Sequence, residues 1–431
     1  MILSMVGGIF MDIIKVYGKN RLNGDVTVQG CKNAVLPILA ATLVSEEKCI
    51  IHNCPGLSDV MDCISIINSS GAFASFDNGT VYIDAENVSN HVIETNIMKK
   101  LRASVLFAAP LILKLGRAEF TMPGGCNIGT RPIDIHLAAF EKMGVDVECN
   151  EGNVKCLAKK LSGADIYLPY PSVGATENIM ILATGCSGIT RIYNPAREPE
   201  IEDLQKYLNQ SGAMVSGAGT NVITITPVKK MHGCEYDIMS DRIEAITFLC
   251  ACACSGGQIK VDKVNCNHIS NTLNILEKMG TKVVRYPGCV EIVSTRALKC
   301  PDFVITHPYP GFPTDAQSLF MSLMCHSEGA GVVVENVFEN RLEHAFELKK
   351  MGADIIINNN RAFVKGSKLY GAQTTARDLR SGAALVVAGL GCEDLTTVDN
   401  CCYIDRGYCD FINKLLKIGA NVERIQECLK E

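Results

Sequence analysis

A glycine-rich segment, residues 122–132 with the sequence MPGGCNIGTRP, contains the side chain with the clearest chemical potential, Cys126. Its glycines suit neither a helix interior nor a strand interior, so the segment predicts a loop. A thiol has an ordinary pKa of about 8.5 and can therefore donate a proton at neutral pH. A nearby arginine such as Arg131, or a helix start, would lower that pKa and make the sulfur a nucleophile. Cys126 is predicted to be either a reactive group or one more small hydrophobic side chain.

Arginines recur at predicted helix starts or in the turns that lead into them, namely Arg102, Arg131, Arg341, Arg380 and Arg406. Each arginine alone is typical of a surface ion pair or a helix cap. Helix N-termini carry unpaired N–H groups and a partial positive charge, so several that share one cleft form an anion site. Guanidinium groups also match the oxygens of phosphate and carboxylate. The pattern predicts a site for an anionic small molecule, although the formal net charge is −5.

One carboxylate, Asp315 in the segment FPTDAQ, comes at the start of a predicted buried helix. Two interpretations of this residue stay open. It is either the N-cap of that helix or a carboxylate within hydrogen-bond reach of a substrate hydroxyl. In the second case it either takes the proton or orients the hydroxyl.

The composition excludes several classes of protein. The chain has 431 residues, 47% of them hydrophobic and 20% charged, which suits two or three folded domains and argues against disorder. No run of about 18 apolar residues and no Lys/Arg-rich stretch occurs, so neither a membrane span nor a nucleic-acid surface is expected. The 21 cysteines form no C-x-x-C pair, which disfavours zinc and disulfides and favours buried thiols in a reducing cytoplasm. No metal or cofactor is expected.

An internal repeat of about 70 residues must position these groups. Each of its six copies contains a buried helix, a strand, a turn, an outer helix that ends at glycine, and further strands. The glycines suit left-handed helix C-caps and are Gly71, Gly144, Gly212, Gly280, Gly352 and Gly419. The buried helices are apolar on nearly all sides, which is typical of the centre of a layered unit. They begin near Lys32, Arg102, Gly174, Arg242, Asp315 and Arg380.

Six copies divide most simply into two α/β domains of three copies each. The first domain is predicted over residues 33–239, and the second over residues 11–32 plus 240–431. The strand-rich segment that precedes the first copy is assigned to the second domain. Residues 1–10 are expected to be an extension outside the fold, with translation starting at Met1 or Met11.

Ten collinear segments from Met11 onward resemble the enolpyruvyl transferase family, and in particular its members that act on UDP-N-acetylglucosamine. The segments are GCKNAVLPILAATLVS, LRASVLFAAPLI, PGGCNIGTRPIDIHL, PSVGATENIM, AREPEIEDL, DRIEAITFL, PYPGFPTDAQ, VFENR, ARDLRSGAALV and IDRGY. The resemblance implies two inverse α/β domains, with parallel buried helices surrounded by sheets and outer helices and an active site in the cleft between the domains. It implies transfer of the enolpyruvyl group of phosphoenolpyruvate to the 3-hydroxyl of UDP-N-acetylglucosamine, through a tetrahedral ketal and with release of phosphate. This reaction is the first committed step of peptidoglycan precursor synthesis.

The same resemblance implies a role for each matching residue. Cys126 would be the general acid that protonates C3 of phosphoenolpyruvate, and epoxides of the fosfomycin type would alkylate it. Asp315 would face the 3-hydroxyl, and Lys32 and Asn33 would contact phosphoenolpyruvate and the sugar. Arg131, Arg380 and Arg406 would clamp the phosphate and carboxylate, with Lys32 and Arg406 counted among the catalytic groups. The remaining implied substrate contacts are Arg102, Pro132, Ile133, Asp134, Ile135, Ser172, Val173, Gly174, Val337 and Arg341.

Some residues depart from the family pattern, and two alternatives stay open. Asn127 and Thr130 replace small residues in the cysteine loop, Tyr170 replaces a cation expected beside the diphosphate, and Ser381–Gly382 replaces the commoner Ala–Ser. A shikimate-pathway enolpyruvyl transferase shares the fold and donor, but the cysteine loop and GATENIM favour the UDP-sugar branch. A silent paralogue that binds the sugar nucleotide is the second alternative. A thiol redox protein is disfavoured because Cys126 has no resolving cysteine at close spacing. The oligomeric state stays open.

Overall fold

The computed structural model describes residues 10–124, 129 and 132–428. The strands are β1 (Phe10–Tyr17), β2 (Leu22–Thr27), β3 (Cys49–His52), β4 (Phe73–Asp77), β5 (Thr80–Asp84), β6 (Arg117–Thr121), β7 (Val145–Asn150), β8 (Asn153–Ala158), β9 (Asp165–Tyr167), β10 (Thr190–Tyr193), β11 (Met214–Ser216), β12 (Val222–Thr226), β13 (Glu235–Asp237), β14 (Gly257–Asp262), β15 (Lys282–Tyr286), β16 (Cys289–Ser294), β17 (Phe303–Ile305), β18 (Ala330–Val334), β19 (Asp354–Asn358), β20 (Arg361–Lys365), β21 (Gln373–Thr375), β22 (Leu395–Asp399) and β23 (Asn421–Cys428). The α-helices are α1 (Lys32–Thr42), α2 (Ser58–Ser69), α3 (Thr95–Lys100), α4 (Ala108–Leu115), α5 (Asp134–Lys142), α6 (Val173–Ala183), α7 (Pro199–Gln210), α8 (Arg242–Ser255), α9 (Ser270–Lys278), α10 (Thr314–Cys325), α11 (Ala345–Lys350), α12 (Leu379–Gly391), α13 (Cys402–Asp405) and α14 (Phe411–Lys417). Short 3₁₀ helices cover Arg102–Phe107 and Cys266–Ile269.

The described chain divides into two compact units, each named here after one of its charged residues. The Lys32 unit comprises residues 29–241 and 308–310. The Asp315 unit comprises the described residues as far as Val28, residues 242–307 and the chain from Gly311 onward. The units divide after Val28 and Asp241, a few residues from the limits predicted from the repeats. No helix in the described residues is long and apolar enough to cross a membrane.

The sheets of both units share one strand order, which is the structural form of the sequence repeat. A short edge strand pairs in parallel with the strand that follows a buried helix, and two antiparallel strands complete the sheet. The orders are β13-β3-β5-β4 and β11-β12-β10-β9 in the Lys32 unit, and β15-β16-β14-β2, β17-β18-β20-β19 and β21-β22-β1-β23 in the Asp315 unit. In the remaining sheet, β6-β8-β7, a single parallel bridge between Val92 and Glu119 takes the place of the edge strand.

The N-terminal strand β1 completes the sheet of the last repeat. It lies between β22 and β23 and pairs antiparallel with both, so that Val16 is opposite Thr396 on one side and Val422 on the other. The other repeats use a strand of their own at this place, whereas the sixth copy has only β23 after its glycine. Because β2 also pairs with β14, both N-terminal strands belong to the Asp315 unit.

The buried helices of the repeats form the centre of each unit, as predicted. They are α1, α4 and α6 in the Lys32 unit, and α8, α10 and α12 in the Asp315 unit. Every residue of α8 is buried, including Cys250, Cys252 and Cys254. Burial raises the pKa of the Cys252 thiol to about 12, so this cysteine packs as a small apolar group.

The repeat glycines adopt the left-handed backbone that the sequence predicts. Their φ angles lie between 89° and 102°, at Gly71, Gly144, Gly212, Gly280, Gly352 and Gly419. A side chain is strained in this region, and glycine is not. Each glycine ends an outer helix and turns the chain into the next strand, which gives all six copies the same connection.

Candidate functional site

Asp315 lies between two arginines at the start of α10. Its Oδ1 accepts a hydrogen bond of 2.8 Å from Nη2 of Arg341. Its Oδ2 accepts from Nε and Nη2 of Arg380 at 3.3 and 3.1 Å. The N-cap of α10 is Pro313, so the interpretation of Asp315 as an N-cap is wrong. Its carboxylate belongs to an ion-pair cluster, defined here as the Asp315 cluster: Asp315, Arg242, Arg341 and Arg380.

Positive charge is in excess within the Asp315 cluster. Burial alone would raise the pKa of Asp315, but the charges of Arg380, Arg341 and Arg242 outweigh burial and hold this pKa well below its usual range. The side chain of Asp315 is 25% exposed, whereas those of Arg341 and Arg380 are 4% and 3% exposed. Among these four residues the buried guanidinium groups outnumber the carboxylate, which suits the binding of an anion.

Local structure around α12 explains the position of Arg380. Asp378 caps this helix, and its Oδ1 accepts hydrogen bonds from the backbone N–H groups of Arg380 and Ser381 at 2.8 and 3.1 Å. Ser381 returns the capping interaction, so the departure from the family pattern at this residue supplies a capping box. The guanidinium carbon of Arg380 lies 5.4 Å from the ring centroid of Tyr408, and the Tyr408 hydroxyl lies 2.9 Å from Oγ1 of Thr247. Arg380 is therefore held in place both by the hydrogen bond of its backbone N–H and by the contact of its side chain with Tyr408.

Two further predicted contacts lie in the Asp315 unit. Val337 follows β18, is half-buried, and donates its backbone N–H to Oε1 of Glu335 at 2.8 Å. Arg406 is the half-buried C-cap residue of α13. Val337 and Arg341 lie on the segment that follows β18, and the role of Arg406 stays a prediction.

Lys32 has the opposite environment at the start of α1. It is 8% exposed, and its Nζ lies 2.8 Å from Oδ2 of Asp59 at the start of α2. Its backbone N–H donates to Oδ2 of Asp241 at 3.3 Å. The thiol of neighbouring Cys31 contacts Oε1 of Glu200 at 3.7 Å. The Lys32 cluster is defined here as Lys32, Asp59, Asp241 and Glu200, and its three carboxylates are all buried.

A further buried carboxylate, Glu177 on α6, adds to the acidic character of the Lys32 unit. It is 3% exposed. Burial, together with the charges of Glu200 and Glu198, raises its pKa well above the usual range. This shift favours the neutral form of the carboxyl group, which can donate a hydrogen bond. Sequence reasoning missed Glu177, Glu200 and Asp59, because an isolated acidic residue in a helix carries no local signal of its partner.

The other predicted contacts of the Lys32 unit gather at helix starts. Asn33 is the second residue of α1, and Arg102 begins a 3₁₀ helix. Ser172 is the N-cap of α6, and its Oγ accepts from the backbone N–H of Ala175 at 3.4 Å. Val173 and Gly174 form the first turn of this helix, where backbone N–H groups suit an anion such as a diphosphate.

Gly174 permits a close approach of helix α5 to the start of α6. A Cβ on Gly174 would lie 3.1 Å from Cε1 of His136, and Nδ1 of His136 lies 2.8 Å from Nδ2 of Asn178. The predicted contacts that lead into α5 are Pro132, Ile133, Asp134 and Ile135, of which Ile133 is its N-cap residue and Asp134 its first. Cys126, Arg131, Asn127 and Thr130 lie outside the described residues, so their roles stay predictions.

Comparison with known proteins finds one matching family model and several similar enzymes. The model of the family EPSP synthase (3-phosphoshikimate 1-carboxyvinyltransferase) matches residues 16–415. The chain is 44% identical over 416 residues to UDP-N-acetylglucosamine 1-carboxyvinyltransferase 2 of Caldanaerobacter subterraneus subsp. tengcongensis, covering 96% of this chain and 100% of the relative. It is 44% identical over 411 residues to UDP-N-acetylglucosamine 1-carboxyvinyltransferase of Halothermothrix orenii, covering 95% and 99%. The enzyme of that name from Finegoldia magna is 42% identical over 421 residues, with coverage of 96% and 99%.

Solved structures show the same fold. The enolpyruvyl transferase NikO from Streptomyces tendae superposes with a TM-score of 0.88 at 22% identity, covering 98% of this chain and 100% of that one. An EPSP synthase from Acinetobacter baumannii gives a TM-score of 0.76 at 19% identity, covering 96% and 100%. At these identities the likeness concerns the fold alone. It confirms the predicted class of two inside-out α/β domains.

Proposed function

The chain belongs to the EPSP synthase family of enolpyruvyl transferases, and we propose that it transfers the enolpyruvyl group of phosphoenolpyruvate to the 3-hydroxyl of UDP-N-acetylglucosamine and releases phosphate. The choice of acceptor is supported by relatives of that name at 42–44% identity over nearly the full chain. The structural observation that carries the proposal is the Asp315 cluster, in which a carboxylate lies between two buried arginines. The reaction then belongs to peptidoglycan precursor synthesis in the cytoplasm.

The proposed chemistry is an addition followed by an elimination. The 3-hydroxyl oxygen forms a bond to C2 of phosphoenolpyruvate, the C2–C3 π electrons take a proton at C3, and the hydroxyl proton leaves. The resulting ketal then loses a proton from C3 and phosphate from C2. Cations around the phosphate and carboxylate stabilise these anionic species. Arg380 and Arg341 offer buried guanidinium groups for this purpose, and Lys32, Asn33, Arg131 and Arg406 are the further groups we assign to the same substrate.

Asp315 suits the orientation of the acceptor hydroxyl. While Arg341 and Arg380 hold its pKa well below the usual range, the carboxylate is a weak base but a good hydrogen-bond acceptor. Substrate anions that share the two arginines would weaken their effect on Asp315, and its pKa would rise. The same group would then become a better base when both substrates are bound.

The proton donor in this proposal is Cys126 in the glycine-rich segment of residues 122–132. Its thiol would protonate C3 during addition, and the same thiol would react with epoxides of the fosfomycin type. We propose that the sugar nucleotide binds first and closes the cysteine loop over the donor. Protease digestion with and without saturating UDP-N-acetylglucosamine tests closure, and equal cleavage of the loop in both samples would contradict it.

Phosphate release is the measurement that tests the function. We expect release from phosphoenolpyruvate with UDP-N-acetylglucosamine and none with shikimate 3-phosphate in its place. The reverse result would favour the shikimate-pathway reaction, which the family description includes. Binding of UDP-N-acetylglucosamine without phosphate release would favour a silent paralogue. A Cys126→Ser variant with full activity would remove the proton-donor assignment while leaving the transfer reaction in place.

A further inference from the structure

Glu335, a buried carboxylate outside the predicted site residues, connects the segments that carry Asp315, Val337 and Arg341. It directly follows β18 and is 3% exposed. The segment from Glu335 to Arg341 includes Val337, and α10 begins one residue before Asp315. Burying a carboxylate costs free energy unless its oxygens accept hydrogen bonds. The donors around Glu335 therefore show which segments it holds together.

The two oxygens of Glu335 serve different segments. Oε1 accepts from Oγ1 of Thr306 at 2.8 Å and from the backbone N–H groups of Val337 and Phe338 at 2.8 and 3.2 Å. Oε2 accepts from Oγ1 of Thr314 at 2.9 Å. Thr306 directly follows β17, and its Oγ1 accepts from the backbone N–H of Asn336 at 2.9 Å. One carboxylate therefore ties the end of β17, the start of α10 and the segment after β18 together.

Both halves of this network lead to Asp315. On one side, Thr314 is the first residue of α10, and Asp315 is the next. On the other side, the ring of Phe338 lies 5.5 Å from the guanidinium carbon of Arg341, and Arg341 donates to Asp315. A shift of the Glu335 carboxylate would therefore change the position of Asp315 relative to Arg341.

We propose that Glu335 is a positioning residue for the transfer reaction, which sets the geometry between Asp315, Arg341 and the Val337 backbone. This inference rests on the proposed function, because Asp315 and Val337 are assigned to substrate there. Glu335 acts through Thr314 on the catalytic carboxylate, and through the backbone of Val337 and Phe338 on the sugar-nucleotide contact. The two effects can be separated because they depend on different oxygens.

A Glu335→Gln substitution separates the effect on Asp315 from the effect on the backbone of Val337 and Phe338. Glutamine has one acceptor oxygen, and the three donors at Oε1 favour placing that oxygen there. Its NH₂ group then faces Thr314, whose hydroxyl must turn to accept instead of donate. We expect kcat to fall by about 10- to 100-fold, because small misplacements of a reacting group have effects of this size. KM for UDP-N-acetylglucosamine should change by less than about threefold, since the bonds to Val337 and Phe338 remain.

A Thr314→Val variant is nearly isosteric and removes the hydrogen bond that Glu335→Gln reverses. We expect it to lower kcat by a similar factor, and the double variant with Glu335→Gln to be no slower than either single variant. Such non-additivity is the signature of one shared interaction. Glu328→Gln, at an exposed glutamate that precedes β18, is the matched control and should retain wild-type kinetics.

Steady-state phosphate release and thermal unfolding of the wild type and the four variants decide the question. A folded Glu335→Gln variant with wild-type kcat would overturn the inference, as would kcat losses of Glu335→Gln and Thr314→Val that multiply in the double variant. Equal losses of kcat and of the folded fraction would also overturn it. A wild-type protein without phosphate release would instead overturn the proposed function, and the inference with it.

Discussion

The two units use the same repeat to build opposite charge environments at the starts of their buried helices. In the Asp315 cluster, Arg242, Arg341 and Arg380 act on one carboxylate. In the Lys32 cluster, a single lysine meets Asp59 through its side chain and Asp241 through its backbone. The buried groups of the first cluster are mainly cationic, and those of the second are mainly carboxylates.

This difference shows that the repeat supplies positions, whereas side chains decide what each position binds. A helix start favours negative charge whatever the sequence. In the Lys32 unit, the protein's own carboxylates at Asp59 and Asp241 meet that preference. In the Asp315 unit, arginines add to the positive potential, which favours an anion supplied by a ligand. The comparison makes the Asp315 cluster the stronger candidate for binding phosphate or carboxylate.

Asp315→Asn should have the largest effect. We expect kcat to fall by about 1000-fold, because the substitution removes the carboxylate that we assign to the acceptor hydroxyl. Affinity for phosphoenolpyruvate should rise, since Arg341 and Arg380 lose the carboxylate that pairs with them. Phosphate-release kinetics and donor binding measure the two effects, with Asp302→Asn at an exposed aspartate as the control. A weaker affinity for the donor would show that the cluster does not act as an anion site.

Lys32→Gln should have a smaller effect on catalysis and a clear effect on stability. We expect kcat/KM for phosphoenolpyruvate to fall by about 100-fold through loss of one cation. The free energy of unfolding should fall by about 3 kcal/mol, because Asp59 is left buried without this partner. Urea unfolding measures the second effect, and Lys48→Gln, at an exposed ion pair with Asp84, is the control.

A double variant sharpens this test. Lys32→Gln with Asp59→Asn replaces the pair by two neutral groups, so stability should return while activity should not. If activity returned as well, the contribution of Lys32 would be structural. If stability did not return, the lysine would act on the other carboxylates of the Lys32 cluster more than on Asp59.

Features with local physical causes could be predicted from the sequence. The repeat glycines were identifiable because a left-handed helix end requires them, and their φ angles confirm it. The buried helices were identifiable because they are apolar on all sides. Arg380 and Asp315 directly precede two of these apolar segments, which predicts that they lie at helix starts. The structure confirms both positions.

Partners that are distant in the chain could not be predicted. The ion pair of Lys32 with Asp59, and the network of Glu335 with Thr306 and Thr314, join residues whose own segments give no sign of each other. The insertion of β1 between β22 and β23 likewise depends on the closure of the whole unit. The order of charges at the helix starts was therefore visible in the sequence, but their pairing was not.

One buried carboxylate from each unit, Asp203 and Asp315, should respond oppositely to pH. Burial raises the pKa of Asp203, in the Lys32 unit, to about 6, although the Tyr236 hydroxyl and the Met239 N–H donate to it. An unfolded aspartate titrates near 3.9, so the folded state binds more protons between about pH 4 and 6. Stability from this group should fall by about 3 kcal/mol as pH rises through that window. The lowered pKa of Asp315 has the reverse effect, with stability present above about pH 4 and lost below it.

Urea unfolding between about pH 2 and pH 7.5 tests both signs. Asp203→Asn should remove the loss of stability between about pH 4 and 6, whereas Asp315→Asn should remove part of the loss on acidification below about pH 4. The wild type provides the reference for both variants. A loss in the same direction for the two groups would contradict the opposite environments that the structure assigns to them.

The repeat glycines should show the smallest difference between the units. Gly144 in the Lys32 unit and Gly280 in the Asp315 unit occupy the same place, with φ of 89° and 102°. A Cβ on Gly144 would clash with the carbonyl oxygen of Lys160, whereas the nearest atom to a Cβ on Gly280 is the Ala297 oxygen at 3.4 Å. Gly280→Ala should therefore cost only the left-handed strain, about 1 kcal/mol, and Gly144→Ala about 2 kcal/mol more, because backbone must move. Equal losses in urea unfolding would show that the left-handed conformation alone sets the cost, and that the same slot has equivalent surroundings in both units.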